Sequence, residues 1–157
     1  GFGAPENSAA EAALVSGGRL WIGTENAAEG CELWSTADGT TWTPAVLAGF
    51  GDPGNTVCGA LAVVGGILAA GTTNAAAGAE VWGSAFGTTW TQYNANGFLG
   101  SGNGEASAAV SFGERLYVAT GNPGGCELWR LPPIATLVLF VDGFESGGTD
   151  AWTVPGR

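Results

Sequence analysis

Apolar and polar residues alternate along this chain in short runs of period two, and turn residues break the runs every few positions. Ala9 to Ser16 reads as a strand closed by a Gly17-Gly18 turn. Arg19 to Thr24 reads as a second strand and Cys31 to Thr36 as a third. Asp38-Gly39 then turns the chain into a fourth, Thr41 to Leu47. Asp-Gly between β-prone runs is a strong hairpin signal, because Gly accepts a positive φ. No stretch carries helical spacing with matching caps, so the pattern predicts an all-β protein.

The same pattern returns at a spacing of 48 residues. Gly1-Phe2-Gly3 recurs as Gly49-Phe50-Gly51 and as Gly97-Phe98-Leu99. Trp21-Ile22-Gly23-Thr24 maps onto Ala69-Ala70-Gly71-Thr72 and Tyr117-Val118-Ala119-Thr120. Asn26, Asn74 and Asn122 keep the register. Glu32-Leu33-Trp34 maps onto Glu80-Val81-Trp82 and, after a one-residue deletion, onto Glu127-Leu128-Trp129. Gly39-Thr40-Thr41-Trp42 returns as Gly87-Thr88-Thr89-Trp90, although Phe86 replaces the turn aspartate.

A four-stranded unit of about 40–50 residues, repeated in tandem, is the pattern of propeller blades. The first strand of each unit is rich in small residues, such as Ala9, Ala10, Ala12 and Ala13, or Cys58, Gly59, Ala60 and Ala62. Small side chains suit strands that converge on an axis, while Trp and Leu on later strands fill the wider space between sheets. The expected architecture is all-β, with three tandem four-stranded antiparallel propeller-type blades over residues 1–48, 49–96 and 97–141. A tail follows over 142–157. The third unit loses the pattern at Pro132-Pro133 and continues into the most apolar run of the chain. In that run Ile134, Leu137, Val138, Leu139, Phe140 and Val141 are expected to form a buried strand. It either completes its own unit or pairs with another copy.

These blades resemble those of bacterial secreted propeller-like proteins, with Leu-Tyr-Val-Gly-Thr, Glu-Leu-Trp and Asp-Gly-x-x-Trp segments. The hairpin is also similar to the Asp-box of sialidase-type propellers. Ser35, Gly39, Thr41 and Trp42 match that motif, with Asp38 one position late. The tail from Asp142 to Trp152, with its Gly-Phe-Glu-Ser-Gly segment, resembles a segment near the C-termini of exported bacterial proteins. The resemblance implies a secreted protein, extracellular or at the cell surface. It does not carry sialidase catalysis, because four scattered Arg and two Tyr do not reproduce that site.

Composition narrows the function. Fourteen acids against four Arg give a net charge of −10, which repels nucleic acid and anionic membrane surfaces. No apolar run approaches the ~18 residues of a membrane span, so no membrane insertion is expected. The absence of His removes His-based nucleophile activation and His metal sites. The Gly-rich stretch 100–104 precedes no helix, so it makes no phosphate cradle. Asp38, Asp52 and Glu29 are too dispersed for a calcium site. No metal and no cofactor are expected.

The remaining candidates are columns of repeated residues. Glu32, Glu80 and Glu127 form either a ring of acids at a binding face or a structural set accepting hydrogen bonds. Repetition in every unit favours the structural role, since a catalytic pair needs unlike acids. Trp34, Trp82 and Trp129 are either packing residues or platforms for sugar rings. Cys31, Cys58 and Cys126 have no metal-type spacing. They are either small apolar core residues or partners in a disulfide of unknown pairing.

Three blades fall short of the ~4–8 of a closed propeller. Their outer faces must be covered by further units, by a ring of copies, or by head-to-tail stacking into a filament. A non-enzymatic, self-assembling extracellular structural protein, with copies of itself as partners, is the expected function. A glycan-binding module is the alternative.

Overall fold

The computed structural model describes residues 1–100 and 102–132. The expected strand at 134–141 and the tail lie outside the described residues. Among the described residues the fold is all-β and antiparallel, with no α-helix.

The strands form three meanders. The first comprises β1 (Ala9–Ser16), β2 (Arg19–Glu25), β3 (Leu33–Thr36) and β4 (Thr43–Val46). The second comprises β5 (Val57–Val64), β6 (Ile67–Thr73), β7 (Val81–Ser84) and β8 (Thr91–Gln92). The third comprises β9 (Glu105–Phe112), β10 (Arg115–Gly121) and β11 (Glu127–Arg130). Each strand pairs antiparallel with the next in its meander. Between successive meanders the strand ladder is one residue pair long, Glu25↔Val57 and Thr73↔Glu105. Among the described residues the sheet is open: its end strands do not pair with each other and it closes no ring.

The expected strand positions hold closely, and their differences have a backbone cause. The third strand starts at Leu33 instead of Cys31, because the Cys31 N–H donates to the Asn55 carbonyl of the following unit (2.7 Å). The Cys31 carbonyl in turn accepts from Gly49 N–H (2.9 Å). Ala79 repeats both bonds, with Asn103 (2.8 Å) and Gly97 (2.9 Å). These peptides therefore stitch one unit to the next. The hairpin that lacks the turn aspartate is held by Gly87 N–H donating to Ser84 Oγ (2.8 Å).

Two apolar layers lie between the meanders. The first contains Trp21, Cys31, Leu33 and Val46 from unit one, against Cys58, Leu68 and Ala70 from unit two. The second sets Ala60, Ala62, Val64, Ile67, Ala69 and Val81 of unit two against Ala106, Leu116 and Val118 of unit three. Alternation along β5 sends Ala60, Ala62 and Val64 forward, while Cys58, Leu61 and Val63 face back. A bulge between Cys58 and Ala60 shifts the register, so Cys58 faces back although it is two positions from Ala60. Small residues of β5 and β9, Ala60, Ala62 and Ala106, meet in the second layer.

The Gly-Phe pairs form a left-handed turn at each entry. Phe2, Phe50 and Phe98 have φ of 51°, 62° and 54°. That conformation costs an aromatic residue roughly 1–2 kcal/mol. Each Phe is held there by stacking on the Trp of its own unit, Phe2 on Trp34, Phe50 on Trp82 and Phe98 on Trp129, with centroids 5.3, 5.2 and 5.1 Å apart. The turn of the next unit also fixes the glycine it rests on. A Cβ at Gly78 (φ 96°) would lie 2.5 Å from the Gly97 nitrogen, whereas one at Gly66 (φ 79°) meets nothing within 4 Å.

That contrast sets a test of the stitch between units. Gly66→Ala should cost about 1 kcal/mol, from its left-handed backbone alone. Gly78→Ala should cost about 2–4 kcal/mol, because the backbone of the next unit must also move. Urea denaturation of the two variants measures the difference, and equal costs would contradict the close approach.

Candidate functional site

The glutamate column is brought together with residues that the sequence reading only partly connected. Glu32 Oε2 accepts from Trp34 Nε1 (2.7 Å) and from Asn7 Nδ2 (2.6 Å). Glu80 Oε2 accepts from Trp82 Nε1 (3.0 Å) and Asn55 Nδ2 (2.7 Å). Glu127 Oε2 accepts from Trp129 Nε1 (2.8 Å) and Asn103 Nδ2 (3.0 Å). Trp and Glu are two apart on an extended strand, so both side chains leave the same face.

Asn7, Asn55 and Asn103 are the centre of each cluster. The second Nδ2 hydrogen of Asn55 goes to the Gly49 carbonyl (2.8 Å), which ties the cluster to the Gly-Phe turn. Its Oδ1 accepts from Thr72 Oγ1 (3.0 Å) and Asn74 Nδ2 (3.2 Å). An amide offers two donors and two accepting lone pairs, so this side chain is fully satisfied. Asn7 and Asn103 make the corresponding bonds with Thr24 and Asn26, and with Thr120 and Asn122. Asn74 Oδ1 then orders the following loop by accepting from the Ala76 and Ala77 amides (3.2 and 2.8 Å). The 48-residue spacing of Asn7, Asn55 and Asn103 was available in the sequence, although their role depends on contacts that sequence does not show.

This arrangement accounts for the acids as structural groups. Glu32 and Glu80 are buried, and their Oε2 atoms are occupied by neutral donors within the unit. The Thr hydroxyls reach the main chain of these residues instead of the carboxylates: Thr24 Oγ1 and Thr72 Oγ1 accept from the Glu32 and Glu80 amides (2.9 and 3.1 Å). The carboxylates do not face one another across a cleft. Glu127 keeps the same bonds but is exposed, because no described unit follows the third.

Trp34, Trp82 and Trp129 are half-buried. One face of each ring is covered by its Phe, and each N–H is engaged by its Glu. Trp42 and Trp90 meet the edges of Phe2 and Phe50, with centroids 5.1 and 5.4 Å apart. Stacking on a sugar would have to use the opposite ring faces.

The structure brings Cys31 and Cys58 together, while Cys126 is exposed. A hydrogen bond to the Cys58 thiol, and then burial, push the Cys31 thiol far above the ordinary range. A cleft of about 430 Å³ between units two and three is lined by Thr73, Gly102, Gly104, Glu105 and Asn122, among others. It offers one carboxylate and no second group with which to make an acid–base pair. Among the described residues no group of three or more His, Cys, Asp or Glu is placed to hold a metal ion.

Asp38, at the Asp-box-like hairpin, serves its own turn. Its Oδ1 accepts from the Thr41 and Thr40 amides (2.7 and 2.8 Å) and from Thr36 Oγ1 (3.0 Å). These donors favour the ionised form and hold its pKa below the usual carboxylate range, with Thr41 contributing most. Such a group stabilises the fold above its unfolded value of about 3.9, and the contribution is lost as pH falls through the lower folded value.

Two measurements test this account. Glu80→Ala leaves Asn55 and Trp82 donors without an acceptor and should cost about 2–4 kcal/mol in urea denaturation, while Glu80→Gln keeps an acceptor oxygen and should cost less. An equal cost for both would show that the carboxyl oxygen is not what matters. In a carbon-detected NMR titration, Asp38 should titrate below about 3.9, with the Thr40 and Thr41 amides shifting at the same midpoint. A midpoint at the ordinary value would remove the hairpin role.

No protein-family model matches the chain and no curated protein matches it; the clusters' own geometry holds each unit to its shape.

Proposed function

We propose that the repeat units are propeller-type blades stacked in line, and that the chain is a non-enzymatic extracellular structural protein that assembles head to tail with copies of itself. The observation that carries this reading is the forward face of unit three. Val110, Phe112 and Leu128 are 58 %, 74 % and 70 % exposed. Their counterparts in unit two, Ala62, Val64 and Val81, are 5 %, 2 % and 1 % exposed, because unit three covers them.

The backward face of unit one supports the same reading. Its Val15 is exposed and its Leu20 and Ile22 are half-buried. The corresponding residues of unit two, Val63, Leu68 and Ala70, pack against unit one. Docking unit three of one copy on unit one of the next would therefore repeat a junction that the chain already makes twice. A contact between two different faces leaves one free face at each end, so it propagates instead of closing a pair. The net charge of −10 opposes close approach of copies, so salt should favour assembly. The resemblance to secreted propeller-like proteins supports an extracellular setting.

The register of the proposed contact can be read by crosslinking. In the internal junction Cys31 of one unit meets Cys58 of the next. Cys126 occupies the Cys31 position of unit three, and Ala10 occupies the Cys58 position of unit one. Both are exposed. Ala10→Cys should therefore give a ladder of covalent oligomers on a non-reducing gel, and adding Cys126→Ser should abolish it. Phe112→Arg should shift the unmodified protein to monomer in sedimentation velocity. A chain that sediments as a monomer at tens of micromolar, with no ladder from the Ala10→Cys variant, would sink the proposal. Occupation of the face by residues 133–157 would give that same result.

A further inference from the structure

Two features of the first junction are unlike the second. Cys31 and Cys58 are fully buried in one apolar layer, the layer between units one and two. The positions 48 residues later are Ala79 and Ala106, which are also buried together, between units two and three. The same pair of contacting sites is thus Cys with Cys at one junction and Ala with Ala at the other. Ala shows that a small apolar residue suffices there, so packing alone does not require sulfur at either position.

The surrounding geometry brings the two thiols to one another. The Cys31 amide is bound to the Asn55 carbonyl at 2.7 Å, three residues before Cys58. The Cys58 sulfur lies against the backbone of unit one, 2.9 Å from where a Cβ on Gly23 would stand. Both thiols lie in this one buried layer, and Cys58 is the main cause that pushes the Cys31 thiol upward. Both sites are held by backbone contacts between units, so the fold fixes where the two sulfurs sit in this layer.

We propose that Cys31 and Cys58 are a disulfide-forming pair that covalently fastens unit one to unit two when the chain folds in an oxidising compartment, leaving Cys126 as the free thiol. The oxidant is a protein or low-molecular-weight disulfide. The thiolate of one cysteine attacks it, forms a mixed disulfide and releases one donor thiol. The second thiolate then attacks the protein sulfur of that mixed disulfide and releases the other donor thiol. The protein loses two electrons and two protons, and the donor disulfide is reduced to two thiols. Both sulfurs are fully buried, which closes the folded pair to a donor disulfide, and the Cys31 thiol also holds its proton more tightly than a free thiol. The bond therefore forms during folding, and it resists reduction afterwards.

The proposal is tested by refolding the full chain from denaturant in a glutathione redox buffer, then unfolding it again and alkylating without reduction. Mass spectrometry should show a loss of two hydrogens, alkylation at Cys126 alone, and a linked peptide pair containing Cys31 and Cys58. Alkylation at all three cysteines, or a linkage that includes Cys126, would overturn the assignment. The oxidised chain should melt more than about 5 °C above the reduced chain. The double variant Cys31→Ala with Cys58→Ala carries the residues native to the second junction. It should fold and melt at a temperature indifferent to reductant. Equal melting of the oxidised and reduced wild-type chains would count against the fastening role. All of these readouts belong to a single chain, so they stand or fall separately from assembly between copies.

Discussion

Each unit of this protein is organised around an asparagine amide that makes every hydrogen bond open to it. Asn55 links a left-handed Gly-Phe turn, the end of β6, the loop that follows it and a buried glutamate at one point. A meander of short strands has little apolar area of its own, and small residues on its inner strand reduce that area further. The polar cluster supplies what the thin sheet lacks. It specifies where the Gly-Phe turn sits, how the loop after the second strand runs and which way the Trp faces. A buried amide or carboxylate left without its partners is costly, so the cluster tolerates few alternative arrangements.

The aromatic pairs and the polar cluster depend on one another. The Trp N–H fixes the indole through Glu, and the indole face then holds the Phe in a backbone conformation it would otherwise avoid. With the turn fixed, its Gly amide bonds the carbonyl of the preceding unit, as Gly97 does with Ala79. The chain of cause runs from side-chain hydrogen bonds within a unit to main-chain bonds between units. It explains why acids, asparagines and tryptophans repeat together: they shape a surface on which the next unit rests.

Stacking such units produces faces of two kinds, one forward and one backward, with matching positions. The described residues contain two satisfied junctions and one exposed face at each end. Val110, Phe112 and Leu128 are as apolar as their buried counterparts and differ from them in having no described unit packed over them. This is the physical basis for reading the protein through its surfaces. The cysteine pair adds a covalent possibility to one junction only, where the repeat has departed from alanine at two sites at once.

Much of this was legible in the chain itself. Alternation and Gly-containing turns located the strands, and the 48-residue spacing defined the units, because strand formation and turn geometry are local properties. The repetition of Glu32, Glu80 and Glu127 favoured a hydrogen-bonded structural role, and each carboxylate does bond the Trp and Asn of its own unit. Tertiary structure decided what each repeated residue touches. Asn7, Asn55 and Asn103 carried a visible period, yet their partners lie up to 25 residues away, and only packing brings these together. It also decided that Cys31 meets Cys58 while Cys126 meets solvent, since a cysteine's neighbours across a junction depend on how one sheet lies on the next. The sequence determined the units; the stacking of units, which is a matter of long-range contact, determined their chemistry.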